Sequence, residues 1–189
     1  SSRWAGATAG TSDGGTIPCM PHAWDRPANL LGAVAVALGD RLPGTVDDAA
    51  LVTLHWNDGL SVDGLAAVVG LSQPGGVRLV DRLEAAGHVR RAPGPDGRTR
   101  AVRLTPAGRR RAPAVLADRA AVLGAAIGGL EPDVAAAFEV GLATVLDHLT
   151  SDGLTSDART ADRICRLCDE RACGVPDRCP VECALAARS

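Results

Sequence analysis

Lysine and tyrosine are absent from this chain of 189 residues, which holds one phenylalanine and three tryptophans. So few rings speak against a pocket that stacks aromatic ligands and against a core built on aromatic pairs. The hydrophobic 46% must instead pack as alanine, valine and leucine, which suits closely spaced helices. All twenty basic residues are arginine; with so much alanine and glycine, this bias reads as codon usage. A formal charge of −2 excludes a chain that coats nucleic acid along its whole length. No apolar run reaches the length of a membrane span. No charged start followed by a long apolar stretch marks a secretory leader, so a soluble, cytoplasmic protein is expected. Ser1-Ser2-Arg3 is read as a start whose initiator methionine is removed or not included. No nucleophile–base pairing, phosphate loop or paired carboxylates point to an enzyme.

The organisation divides into an arm at 1–27, a main domain at 28–150, a linker at 151–162 and a tail at 163–189. The arm is rich in Gly, Ser, Thr and Pro and is expected to be disordered, with Trp4 and Trp24 as isolated anchors and Cys19 as a thiol without a role. Residues 28–42 are apolar and helical up to Pro43-Gly44. Thr45 is placed to cap the next helix, with Asp47 and Asp48 in its first turn. Ser61 caps a short helix over 62–69, Gly70-Leu71-Ser72 makes a tight turn, and Ser72 caps a further helix with Pro74 in its first turn. That helix ends at Gly87. A short helix, a glycine turn and a second helix with exposed arginines form a helix-turn-helix pattern.

Two strand-like stretches follow, 88–91 and 100–105, around a Pro-, Gly- and Asp-Gly-rich tip that favours a hairpin. A basic hairpin directly behind a helix-turn-helix is a wing. A long helix is expected from Pro106 to Ile127, kinked or interrupted at Pro113. A last one begins at Glu131-Pro132, with the apolar stripe Val134, Phe138, Leu142, Val145 and Leu149. The expected class is mainly α with a small β-hairpin (α+β): a winged helix-turn-helix with flanking dimerisation helices.

Charge is concentrated where that pattern lies. Residues 78–111 carry ten arginines against Asp81, Glu84 and Asp96, a net of +7 in an acidic chain. Such a patch suits the dense phosphate charge of duplex DNA. Asp96-Gly97-Arg98-Thr99-Arg100-Ala101-Val102-Arg103-Leu104-Thr105-Pro106-Ala107-Gly108 resembles the wing of MarR-type regulators: D-x-R, alternating residues, then L-T-x-x-G. The runs Leu65-Ala66…Val69-Gly70-Leu71-Ser72 and 77–87 match the same family.

This resemblance, over roughly 28–150, implies a homodimer and a near-palindromic double-stranded DNA operator, with a repressor the expected role. It implies that Ser72, Gln73, Arg78 and Arg82 face the major groove or its flanking phosphates. Arg98 would enter the minor groove, oriented by Asp96, with Arg100 behind it in the wing. A small-molecule effector is a further expected partner. Gly75-Gly76 departs from the pattern, since each glycine costs a helix about 1 kcal/mol relative to alanine. Either the helix start frays without DNA or the glycines permit a close backbone approach.

Five of the six cysteines fall at the chain's end with the spacing C-x2-C-x4-C-x5-C-x3-C. Cys165, Cys168, Cys173 and Cys179 supply four soft ligands, which suit tetrahedral zinc. An iron–sulfur cluster is the alternative, since Cys179-Pro180 matches the Cys-Pro that closes ferredoxin-type runs; metal-free thiols that oxidise are another. Cys183 is a possible alternate ligand one turn beyond Cys179. His22, His55, His88 and His148 are scattered and are expected to be surface or packed residues, His148 being the nearest to the tail. The reading from a different class is a thiol-redox or metal-handling protein that uses its winged helix for protein–protein contacts.

Overall fold

The computed structural model describes residues 25–94, 100–151 and 158–187. Nearly all of the N-terminal arm with Cys19, and the wing tip with Asp96 and Arg98, lie outside the described residues. The chain divides into two compact units, one ending at Gly39 and one beginning at Asp40.

In the first unit, α1 (Asp25–Gly39) starts before the expected position and stops at its glycine. It buries no residue, and Leu30, Leu31, Val34 and Val36 stand about half exposed or more.

The second unit is built on α2 (Val46–Trp56), in which every residue from Ala49 to Leu54 is buried. A helix apolar on all sides must lie at the centre of its domain. Its start is the expected one: Thr45 Oγ1 accepts from the Asp48 amide at 3.1 Å, and Asp48 Oδ2 accepts from the Thr45 amide at 3.1 Å. This reciprocal capping box satisfies two amides that the first turn leaves free. Ser61 caps α3 (Val62–Val69), its Oγ accepting from Gly64 N at 3.0 Å. Gly70, at φ +77, ends α3 in the left-handed region that favours glycine.

The next helix, α4 (Gln73–Ala85), runs unbroken through Gly75-Gly76. The hairpin β1 (Val89–Pro93) and β2 (Arg100–Leu104) pairs Val89 with Leu104 and Pro93 with Arg100. An isolated bridge from Ser61 to Ala101 ties it to the start of α3. Val89, Val102 and Leu104 turn inward to join Leu51, Leu54, Leu65, Leu79, Val80 and Leu83 in a common core. Each such leucine contributes about 1.5–3 kcal/mol relative to an exposed one.

Thr105 caps α5 (Pro106–Ile127). Pro113 does not interrupt it: the residue is exposed, so the Arg109 carbonyl that lacks its helical donor can face water. A further helix, α6 (Pro132–Ser151), carries the expected stripe, with Val134, Phe138, Leu142, Val145 and Leu149 all exposed by 38–49%. No described helix is long and apolar enough to cross a membrane.

The tail folds. Helix α7 (Ala158–Cys165) begins inside the stretch read as linker, followed by α8 (Glu170–Cys173) and α9 (Pro180–Ala186). It belongs to the same compact unit as the winged helix, with α7 against α3 and α9 against α6. A small second core of Ala161, Cys179 and Val181, flanked by Ile164, Cys165, Cys173 and Leu185, holds it together.

Candidate nucleic-acid interface and cysteine pocket

The basic stretch is less free than its net charge implies, because acids from outside it fold back onto it. Arg82 Nη2 meets Asp47 Oδ1 at 2.6 Å, and its Nη1 donates to the Arg78 carbonyl at 3.4 Å. Arg91 spans Asp81, at 2.6 Å, and Glu84. Asp58 meets Arg103 at 3.3 Å and Arg109 at 3.6 Å, and also accepts from the Leu104 amide at 3.2 Å, pinning the root of the wing to the turn after α2. Arg111 reaches Asp48 at 3.0 Å. Burial pushes the Asp48 carboxyl up, but the Thr45 amide and hydroxyl and Arg111 outweigh it and hold the group below the usual carboxylate range.

Among the described residues, Arg78, Arg90, Arg100 and Arg110 form no ion pair. All four are exposed, on α4, β1, β2 and the first turns of α5 respectively. Ser72 and Gln73 are exposed at the start of α4, and Ser72 makes no side-chain cap bond. Of the residues expected at DNA, Arg78 and Arg100 are thus uncommitted cations, while Arg82 already holds a carboxylate. The pairings of Asp47, Asp48 and Asp58 have no local sequence signal, since the partners lie 35 to 63 residues away.

The close approach of Gly76 has a structural cause. A Cβ there would stand 2.5 Å from Ala66 Cβ and 3.3 Å from the Val62 carbonyl oxygen, so the glycine lets α4 cross α3 at short range.

The cysteines converge on one pocket of about 340 Å³, lined by Cys165, Cys168, Cys173 and Cys179 together with Thr53 and Trp56 of α2. Cys183 is not among its walls; it is exposed, with its Sγ 3.5 Å from the Asp177 carbonyl oxygen. The thiols act on one another in pairs, Cys165 with Cys168 and Cys173 with Cys179. Bonding from Cys165 holds the Cys168 thiol down at about 7 against the opposing effect of burial, with Arg119 and Arg166 adding to the effect; Cys165 is pushed up by the same bond. Burial and the Cys179 partner push Cys173 up to about 11. Among the described residues, no three His, Cys, Asp or Glu side chains already form a cage for a metal ion. The Thr53 hydroxyl, in the pocket wall, is buried without a hydrogen-bond partner. His148 is exposed near the end of α6 and does not line the pocket.

Comparison with known proteins bears on the DNA-reading half. The model of the MarR family matches residues 49–99, from within α2 to just before the second wing strand. The chain is similar to the solved structure of a MarR family protein from Bacillus stearothermophilus, at 25% identity and a TM-score of 0.52, over 66% of this chain and 88% of that one. It is also similar to a MarR family transcriptional regulator from Rhodococcus sp., at 30% identity and a TM-score of 0.43, over 65% of this chain and 88% of that one. No curated protein matches the chain.

Proposed function

The chain belongs to the MarR family, and from that premise we propose that it acts as a homodimeric, DNA-binding repressor whose cysteine tail binds a metal and stabilises or switches DNA binding. The observation that carries the DNA reading is the set of arginines without an ion pair among the described residues, Arg78, Arg90, Arg100 and Arg110, placed on α4, the two strands of the wing and α5. Acids that could neutralise the patch are spent on Arg82, Arg91, Arg103, Arg109 and Arg111, which brace the domain. Free cations on a braced scaffold suit phosphate contacts, while Gln73 and Arg78 have the donor patterns that read adenine and guanine edges. The proposed operator is near-palindromic, matching the two-fold axis of a dimer.

The test is a gel shift with the DNA upstream of the chain's own gene across a salt series. Affinity is expected to fall steeply with salt, and Arg78→Ala to weaken binding by about 1–3 kcal/mol. Binding indifferent to salt and to Arg78 would sink the regulator reading.

The dimer reading is supported by the exposed stripe on α6. Five large apolar residues at helical spacing are poorly suited to permanent contact with water, and a second copy is the proposed cover. Phe138→Glu is expected to shift sedimentation from dimer to monomer; an unchanged dimer would place the interface elsewhere. A groove of about 780 Å³ beside the same helix, lined by Phe138, Leu142 and Arg171 among others, is the proposed seat of a small-molecule effector. For the tail, zinc held by Cys165, Cys168, Cys173 and Cys179 is proposed. A brown, iron- and sulfide-containing protein would replace zinc with a cluster, and a metal-free protein with titratable thiols would favour the redox alternative.

A further inference from the structure

The cysteine pocket has two kinds of wall. One is the cysteine-bearing tail. The other is the body of the DNA-reading unit: Thr53 and Trp56 of α2, Leu60 from the turn after it, and Val68 of α3. Four contacts fasten the walls together. The Trp56 indole N–H donates to the Cys168 carbonyl at 3.2 Å, and the Arg171 guanidinium sits 5.7 Å over the same ring. Leu167, between the first two cysteines, packs against the main core and closely over Gly44, where a Cβ would stand 2.9 Å from its Cδ1. Arg163 lies over Gly70, the turn of the helix-turn-helix, where a Cβ would stand 2.6 Å from its Nη2.

We propose that the four-cysteine pocket is a thiolate metal centre whose occupancy governs the helix-turn-helix, by clamping Leu167 and the Cys168 carbonyl onto α2 and α3. This rests on the reading, given above, that the tail binds a thiophilic metal. The sulfurs line one pocket without yet forming a cage, so an ion must draw them together, and doing so joins α7, α8 and the start of α9 into one body. Without that cross-link the tail's own core, among the described residues, is the small cluster of Ala161, Cys179 and Val181. Closing its loops removes chain freedom from the undocked state and so favours the docked one. The docked state is the one in which α7 supports α3, and α3 in turn carries α4 across the Gly76 contact.

The experiment compares the full reduced chain loaded with Zn²⁺ and stripped by chelator, following hydrogen exchange of the α3 amides and affinity for the upstream DNA. One zinc per chain is expected, with slower α3 exchange and roughly tenfold tighter DNA binding on loading, within the usual range of site-to-site coupling. Leu167→Ala, which keeps every cysteine, is expected to bind zinc with the same stoichiometry while α3 and DNA binding no longer respond. Trp56→Phe, which removes the indole donor and is milder on folding, is expected to weaken the response. A protein isolated brown, with iron and sulfide, supports the same coupling through a cluster if removing that cluster produces the α3 and DNA changes, and overturns it if it does not. Stoichiometric zinc without any change at α3 or in DNA affinity would overturn the coupling and leave the metal site standing. A chain that takes up no zinc and carries no iron would overturn both.

Discussion

Replacing Gly108 with alanine is expected to destabilise the winged-helix unit by about 2–4 kcal/mol, seen as a lower denaturant midpoint at fixed protein concentration. The new Cβ would fall inside the contact distance of the His88 carbonyl oxygen, 3.1 Å from the carbonyl carbon and 3.0 Å from Leu104 Cδ2. That carbonyl cannot swing aside cheaply. It accepts from the Thr105 amide at 2.9 Å and from Thr105 Oγ1 at 3.1 Å, at the point where β1 begins and α5 is capped. Moving it would loosen the wing root and the cap together. The gain of about 1 kcal/mol that alanine brings to a helix offsets only part of this. Gly124 provides the contrast within the same helix: a Cβ there meets nothing within 4 Å, so Gly124→Ala is expected to be neutral or stabilising by up to about 1 kcal/mol. A Gly108→Ala chain as stable as the parent would show that the close approach is not enforced.

The glycine in L-T-x-x-G was therefore legible as a motif but not as a cause. The sequence carries local signals well. Thr45 and Ser61 each cap the helix expected of them, whereas Ser72 sits at its N-cap position without a side-chain bond, and Gly70 and Gly87 adopt the positive φ their turns need. The hairpin was legible from its Pro- and Gly-rich tip, but its register was not, because Val89 and Ala92 stand three apart in β1 and Ala101 and Val102 are adjacent in β2. Legibility ends where partners are distant in the chain. Asp47, Asp48 and Asp58 read as a helix start and a turn, yet they also neutralise Arg82, Arg111 and the wing-root arginines, so the net charge of 78–111 overstates the free cation.

The tail shows the same limit. Cysteine spacing singled out the four thiols that line the pocket and kept Cys183 as an alternate, which the structure puts outside the pocket walls. Leu167 gave no signal, since one leucine between two cysteines looks like a spacer whether or not it reaches a core that lies far upstream in the chain. Pro113 was expected to kink or interrupt α5; the helix is not interrupted there, since on an exposed face water can take the orphaned carbonyl.

Gly76→Ala is expected to lower stability by about 1–3 kcal/mol and to weaken DNA binding with it. Carbon atoms pack at about 3.5–4.0 Å. The added methyl, at 2.5 Å from Ala66 Cβ, would force α3 and α4 apart by roughly 1 Å, and the neighbouring Val62 carbonyl at 3.3 Å leaves little room to slide. Alanine is the better helix former, so propensity alone predicts the opposite sign. The decisive measurement is therefore rescue. Ala66→Gly removes the opposing methyl, and the double variant Gly76→Ala with Ala66→Gly is expected to recover most of the loss in both stability and DNA affinity. Gly75→Ala, whose Cβ would meet Leu71 Cβ at 3.3 Å, is expected to stay within about 1 kcal/mol of the parent. If Gly76→Ala folds as stably as the parent and loses only DNA affinity, without rescue from Ala66→Gly, the glycine serves approach to DNA and the helix crossing is not what selects it. Rescue in both measurements would place the cause inside the protein: the recognition helix is held at its working depth by the absence of one methyl group on its inner face.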